Sequence, residues 1–449
     1  KTAMALLCSV VKGARGLSST FFSSKIESKL VLAPLTRGGT PAFRSLCVEH
    51  GCDVTMGEMI YAKYLLKGDR REKARLRRHG SETVFGAQIA TNSIAEGAAA
   101  IRLARESGVD FVDLNCGCPI HEATRRGLGS ALMRKPGKLA TLATGLAESA
   151  AEELPVSVKI RLGADGEKNA YEDLLTKLGG AESKVAFVTV HGRTANARYR
   201  TPADYDAIER ASTLFPRLVG NGDVLTPFEA ATKRRKIDTL MIGRGALITP
   251  WLFDEIKGNQ TWLPTPEERT EVYYSLASKF KNHFGDDLKG QQNAWHFFPW
   301  HFDFLSRWRP LPETHFSALA QTKPLIQSSR EVEAVLLELE GPRASLPPLE
   351  RLLRLPVQDA HLSIANALWD ADSSAAAVAN LRAIATPDNL LHWEAVESSA
   401  FSSSRDTRDE AEGHDQPPTK KMGQRKQKKT NLALASAQLG GAAGLEETT

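Results

Sequence analysis

The sequence predicts an α/β fold of the (β/α)8 TIM-barrel class followed by a C-terminal helical domain. Eight short runs rich in Val, Ile, Leu and Phe alternate with stretches of helical composition between residues 29 and 258, and such alternation implies parallel strands joined by crossover helices. The eight units fill about 230 residues, close to the roughly 250 of a TIM barrel. An open dinucleotide-binding sheet is disfavoured because no run leads into a G-x-G-x-x-G turn.

Residues 1–28 come first. Lys1, Lys12, Arg15 and Lys25 occur with no acid before Glu27, and Ser18, Ser19, Ser23 and Ser24 intervene. This basic, serine-containing start has the composition of an organellar transit peptide, or is an arbitrary chain start, and is set outside the predicted fold. The strand runs then follow as Leu30–Leu35, Val54–Gly57, Val84–Ile89, Phe111–Asn115, Val156–Arg161, Val185–His191, Arg217–Gly220 and Thr239–Ile242. Between the third and fourth, Thr91–Ser107 alternates alanines, Ile94, Ile101 and Leu103 with charges, as an amphipathic helix does. The barrel is expected to occupy 29–258. Pro264, Pro266, Glu267 and Glu268 then read as a turn and a helix start with Pro266 near the first helical position. Residues 259–345 are helical in composition and include a dense aromatic segment from Trp295 to Trp308; 346–400 is a Leu/Ala-rich helical extension whose packing the sequence leaves open. In 401–449 an acidic patch gives way to Lys420, Lys421, Arg425, Lys426, Lys428 and Lys429, which reads as a disordered charged tail.

Composition narrows the class. With 42% hydrophobic and 25% charged residues the chain is globular rather than disordered, and no window approaches the roughly 18 uncharged apolar residues of a membrane helix, so no membrane partner is expected. Fifty-eight basic against 53 acidic residues leave a net +5, too little to assign a polyanionic partner without knowing where the charge sits. Five cysteines are an odd number for a disulfide framework. Cys116-x-Cys118 is too tight for the usual zinc pairs and no second Cys/His pair follows, so no metal is expected.

In a TIM barrel the chemistry sits at the C-terminal strand ends, and polar residues interrupt the apolar pattern there. The first run ends in Pro34, Leu35 and Thr36; the third carries Gln88; the fourth ends in Asn115-Cys116-Gly117-Cys118; the fifth holds Lys159 and Arg161; the sixth ends in His191-Gly192-Arg193; the seventh in Asn221-Gly222-Asp223; the eighth in Gly243-Arg244-Gly245. The last two lie where barrels often hold a phosphate, with glycines admitting backbone N–H groups and Arg244 adding a charge-assisted fork. Alternation along the fifth run points Ser157, Lys159 and Arg161 into the lumen. A lysine is rarely buried without a partner, which calls for a Schiff-base carbonyl or a delocalised anion such as a reduced flavin ring. Cys118 reads as a lone active thiol, acid or nucleophile, whereas Cys47, Cys52 and Cys116 read as core cysteines.

Together these residues resemble the tRNA-dihydrouridine synthases. The motifs that match are Leu32-Ala33-Pro34-Leu35-Thr36, Phe85-Gly86-Ala87-Gln88, Asp113-Leu114-Asn115-Cys116-Gly117-Cys118-Pro119, Val158-Lys159-Ile160-Arg161, Val190-His191-Gly192-Arg193-Thr194, Gly220-Asn221-Gly222-Asp223 and Arg244-Gly245-Ala246-Leu247. Asp53-Val54-Thr55, Arg198-Tyr199 and Ala203-Asp204 look most like the eukaryotic branch that modifies uridine 47 of the tRNA variable loop. The resemblance implies an FMN-dependent reductase of a uridine within tRNA, with NADPH as reductant. It places Pro34, Leu35, Thr36 and Gln88 at the flavin ring, Lys159 and His191 at ring and ribityl groups, and Asn221, Gly222, Asp223, Gly243 and Arg244 at the phosphate end. Cys118 becomes the proton donor, with Asn115, Arg161 and Arg193 near the uracil. An ordinary cysteine thiol, with a pKa of about 8.5, stays mostly protonated near pH 7 and suits such a role.

The same resemblance makes tRNA the partner and 259–345 a tRNA-binding domain. Most of the Trp295–Trp308 rings are expected in a helical core, with Arg307, Arg309 and a minority of rings turned to RNA. Lys67 to Arg78 and Lys233 to Lys236 are expected to contact phosphates. A monomer in cytoplasm or nucleus is the expectation, with an organelle the alternative that residues 1–28 raise. The sequence also departs from the family. It lacks the CCCH zinc fingers common in the variable-loop branch, has Arg125 and Arg126 where lysines usually stand, and has Arg37 and Gly38 in place of small polar residues. Two other functions stay open: an FMN barrel acting on a small pyrimidine or enone, and a non-catalytic RNA chaperone.

Overall fold

The computed structural model describes residues 18–150, 154–164, 169–327 and 329–403. The first 17 residues of the transit-like start and the basic tail from Lys420 to Lys429 lie outside the described residues. Eight strands form the barrel: Leu30–Leu32 (β1), Val54–Met56 (β2), Val84–Ala90 (β3), Phe111–Cys116 (β4), Val156–Arg161 (β5), Val188–His191 (β6), Leu218–Asn221 (β7) and Leu240–Ile242 (β8). Each pairs in parallel with the next, and β8 pairs with β1 to close the ring. β1 is shorter than its apolar run. The Ala33 N–H still reaches the Ile242 carbonyl at 2.8 Å, but Pro34 has no N–H to continue the ladder. Ile60–Tyr61 adds a two-residue strand beside β3 that the sequence pattern does not announce.

Alternation sorts the side chains. Val31, Val54, Val84, Phe111, Val219 and Met241 fill the lower lumen as one apolar cluster, while Leu32, Phe85, Val112, Val158 and Val190 face the surrounding helices. A Cβ on Gly86 would sit 2.2 Å from the Phe111 ring, so only glycine lets that ring lie across the barrel. Helix ends follow their sequence signals. The helix Ile94–Glu106 is capped by the Ser93 hydroxyl, which accepts from the Glu96 N–H. Pro266–Phe284 starts with Pro266 in its first turn and a Thr265/Glu268 capping box.

Residues 18–28 are not outside the fold, in contrast to the boundary drawn at residue 29 from composition. Phe22 and Ile26, on the short helical turn Phe22–Ile26, are buried in the same cluster as Phe111 and Phe187. The Phe21 and Phe111 rings lie 5.8 Å apart. The basic, serine-rich composition hid an apolar Phe-Phe-x-x-x-Ile face that shields the bottom of the barrel from water.

After the barrel, helix Pro266–Phe284 packs against Pro41–Glu49, the first helix of the barrel. Phe298, Phe302 and Trp308 are buried there, and His301 stacks on Phe43 at 4.7 Å, so the aromatic segment is mainly core. Residues beyond 345 continue the same core rather than adding a separate piece: Leu352, Ile364 and Leu368 join it, and Trp295 meets Trp369 at 5.2 Å. A buried chain of ion pairs, Arg269 to Glu350, Glu350 to Arg354 and Arg354 to Glu340, ties the two stretches together. Among the described residues no helix is long and apolar enough to cross a membrane.

Truncating Phe22 to Ala removes a buried ring that closes the barrel base. The variant is expected to lose about 3–5 kcal/mol of unfolding free energy, seen as a lower denaturation midpoint in urea with unchanged slope.

Candidate active site

The strand ends converge on one cavity at the C-terminal mouth of the barrel. Its walls include all of the residues singled out in the sequence: Pro34, Leu35, Thr36, Gln88, Asn115, Cys118, Lys159, Arg161, His191, Arg193, Asn221, Gly222, Asp223, Gly243 and Arg244. Each comes from an inward position in the C-terminal half of a strand or from the turn after it.

The floor is a chain of polar groups. Ser157 Oγ donates to one carboxylate oxygen of Asp113 at 2.7 Å, and Gln88 Nε2 donates to the other at 2.8 Å. Asn115 Nδ2 donates to Gln88 Oε1 at 2.7 Å, and Asn115 Oδ1 accepts from the backbone N–H groups of Gly117 and Cys118 at 3.2 and 3.0 Å. Burial pushes the Asp113 carboxyl up to about 6 against the pull of these hydrogen bonds and of Lys159.

Lys159 Nζ donates to Asn221 Oδ1 at 2.8 Å, and Asn221 Nδ2 donates to the Met241 carbonyl at 2.8 Å. Burial, reinforced by Arg161, brings the Lys159 ammonium down to about 8, while Asp113 and Cys118 act in the opposite direction. Burial and the cations Arg161, Lys159, Arg193 and Arg244 hold His191 well below its ordinary value, so its imidazole is neutral near pH 7. Arg161 Nε donates to the Gly117 carbonyl at 2.8 Å and Nη1 to the Thr194 carbonyl at 3.1 Å, so it braces the turns on both sides of Cys118 and His191.

At the opposite end, Gly222 has φ +131° and a Cβ there would lie 2.6 Å from Ala203 Cβ. The turn brings Asp223 under the loop 194–204. Its Oδ2 accepts from Arg193 Nη2 at 2.5 Å and from the Ala203 N–H at 2.7 Å. Arg193, expected beside a base, is instead fully buried in this pair and sets the turn. Arg244 lies 3.6 Å from Asp223 and stacks at 3.6 Å over the Tyr199 ring. Gln327 Nε2 donates to the Tyr199 carbonyl, and Ile326 enters the cavity wall. The helical region thus contributes to the mouth.

Tyr199, Met59 and Ile326 line the cavity, and none had a role assigned from sequence. Asp113, inside a matched motif, is an acid at an inward position of an apolar strand; that is the signal that marked Lys159 and could have marked it too. Nothing local marks Ile326. Cys118 is half-buried, whereas Cys47, Cys52 and Cys116 are buried in the core.

A family model described as Dihydrouridine synthase (Dus) matches residues 31–326, from β1 to that same Ile326. The chain belongs to the dihydrouridine synthase family. A tRNA-dihydrouridine(47) synthase of Coprinopsis cinerea is 39% identical over 280 residues, covering 59% of this chain and 41% of the relative. One of Cryptococcus neoformans is 36% identical over 334 residues, covering 69% and 45%. A human protein named tRNA-dihydrouridine(47) synthase-like is 38% identical over 298 residues, covering 64% and 44%. All three names also specify NAD(P)+. The matches span less than half the length of these relatives.

Asp223→Ala strands the Arg193 guanidinium in the interior of this dihydrouridine synthase family member. Breaking one side of such a buried pair costs about 3–5 kcal/mol, and the expected outcome is a lowered melting temperature, larger than that caused by Arg244→Ala at the more open partner.

Proposed function

We propose that this protein reduces the C5=C6 bond of a uridine in tRNA, uridine 47 of the variable loop, using FMN held in the barrel mouth and NADPH as reductant. The observation that carries the proposal is the chemistry of one cavity: an anion-suited turn at one end, a half-buried ammonium in the middle and a half-buried thiol at the rim. The donor set fits FMN. Gly222, Gly243 and Arg244 suit the phosphate, His191 the ribityl hydroxyls, and Gln88 and Lys159 the polar edge of the ring, with Pro34, Leu35 and Thr36 along its side. Bound there, the flavin supplies a hydride to uracil C6.

The chain's own residues do the rest. Lys159 offers positive charge next to the ring. Asn115 and Arg161 hold the polar edge of the uracil. Cys118 carries the proton that C5 takes up, a general-acid role worth about 10²–10⁴ in rate. The base has to leave its stack, at a cost of a few kcal/mol, and contacts elsewhere on the RNA offset that cost. Arg70, Arg71, Lys73, Arg77 and Arg78 are exposed. Arg70, Arg71 and Lys73 follow the helix Ala62–Leu66, whose Tyr64 hydroxyl accepts from Arg126 on the loop after Cys118, whereas Arg78 pairs with Asp110 just before β4, at the opposite end of the barrel. Arg307 is exposed, and Trp300 and Phe304 are half-buried on the helical region, where a base could stack.

Cys118→Ala should retain FMN absorbance and NADPH-driven bleaching of it, yet form dihydrouridine about 10²–10⁴ times more slowly, read by mass spectrometry of tRNA digests; wild-type turnover would remove Cys118 from the proton-donor role. Lys159→Met should weaken FMN binding about 10- to 100-fold, the worth of a hydrogen bond to a charged group. In the wild type the ammonium is present below about pH 8 and is lost above it, so FMN affinity falls as pH rises through that value. Flavin fluorescence titrations should find that fall missing in Lys159→Met.

A further inference from the structure

We infer that Asp113, under the floor of the cavity, is a positioning residue that fixes the orientation of the Gln88 and Asn115 amides and, through them, the seat of Cys118. The catalytic consequence rests on the function proposed above; the geometry does not.

The polarity of the chain leads to this conclusion. A carboxylate accepts hydrogen bonds and donates none. Ser157 Oγ occupies one Asp113 oxygen at 2.7 Å, so Gln88 meets the other with its Nε2 at 2.8 Å. Gln88 is then left with Oε1 towards Asn115, which answers with Nδ2 at 2.7 Å. That turns Asn115 Oδ1 to the backbone, where it accepts from Gly117 and Cys118. Reversing any amide would set acceptor against carboxylate or donor against donor, so the carboxylate selects one orientation for the whole series. The floor is well sheltered: Asp113 and Ser157 are fully buried and Gln88 is 1% exposed, which makes an unpaired group there costly.

The far side of the turn is held independently. Ser130 N–H donates to the Cys118 carbonyl at 2.9 Å. Gly129 has φ +60°, and a Cβ there would lie 2.4 Å from that oxygen. The Cys118 peptide is therefore clamped between Gly129–Ser130 and Asn115. Asp113 sets one jaw of the clamp without touching the thiol, and none of these residues belongs to the anion-suited turn at the other end of the cavity.

Two substitutions separate orientation from mere filling. Asp113→Leu keeps the shape and removes both acceptors. Asp113→Asn keeps an acceptor for Gln88 and turns its own amide to Ser157 Oγ, which rotates to accept. The first readout needs neither flavin nor tRNA: the rate of Cys118 alkylation by iodoacetamide in the full chain, followed on the Cys118 peptide by mass spectrometry. The second is kcat and KM for dihydrouridine formation at pH 7 and saturating FMN. Since misplacement of reacting groups by about 1 Å can cost ~10²-fold, Asp113→Leu is expected to change the alkylation rate about fivefold or more and lower kcat about tenfold or more, with KM for tRNA within about twofold. Asp113→Asn stays within about threefold of wild type on the same scale of positioning effects. A folded Asp113→Leu protein with wild-type alkylation, or an Asn variant as impaired as the Leu variant, overturns the inference. If Asp113→Leu does not fold, Gln88→Leu breaks the same series one link higher and has to reproduce the altered alkylation; a wild-type rate there overturns it equally. Wild-type protein that forms no dihydrouridine would sink the proposed reaction while leaving the alkylation arm to decide on Asp113.

Discussion

Positive charge in a buried barrel mouth is the constraint around which the rest of the site is arranged. Lys159, Arg161, Arg193 and Arg244 all line the cavity, whereas Asp223 is the one carboxylate among the described residues that line it and Asp113 lies beneath it. Arg193 is neutralised by Asp223, and Arg161 gives two of its N–H groups to backbone carbonyls rather than to a carboxylate. Lys159 leans on a neutral amide oxygen, with burial lowering its affinity for a proton. A site built this way holds its cations at a cost in desolvation and gains most from an anionic, partly delocalised occupant that replaces the missing counter-charge.

The barrel also needs help at both ends. Its lower lumen is closed by Phe22 and Ile26, contributed from before β1, and its upper mouth is completed by Ile326, contributed from beyond the barrel helices. Large aromatic rings in the lumen, Phe111 and Phe187, create the first demand, since their edges would otherwise meet water. The second is met where Gln327 donates to the carbonyl of Tyr199, whose ring packs against Arg244. Barrel and helical region are therefore one structural unit, in keeping with the packing of Pro266–Phe284 on Pro41–Glu49 and of His301 on Phe43.

Much of this was legible in the sequence because strand periodicity converts directly into geometry. Alternation in V-S-V-K-I-R alone put Lys159 and Arg161 in the lumen, and the turns Asn221-Gly222-Asp223 and Gly243-Arg244-Gly245 fell where a barrel mouth lies. Features that depend on long-range partners were not legible. Arg193 looked like a ligand group because its partner Asp223 is 30 positions away, and a motif cannot say which arginine faces inward. The plug at 18–28 was masked by a composition that averages serines and lysines over two phenylalanines and an isoleucine. The division at 345/346 came from a change in composition that the packing does not follow, because Trp369 and Leu368 fill gaps left by Trp295 and its neighbours.

The reach of Ile326 and Gln327 into the mouth bears on how the protein is made. Chains emerge from the ribosome N-terminus first, at about 5–20 residues per second, so all eight strands are synthesised well before residue 327 exists. Until then Tyr199 lacks its tether and the cavity lacks a wall. Assembly of the site is thereby placed late in synthesis, after the appended helices have docked, and a nascent barrel released early would carry every polar residue of its mouth without the enclosure that makes them selective.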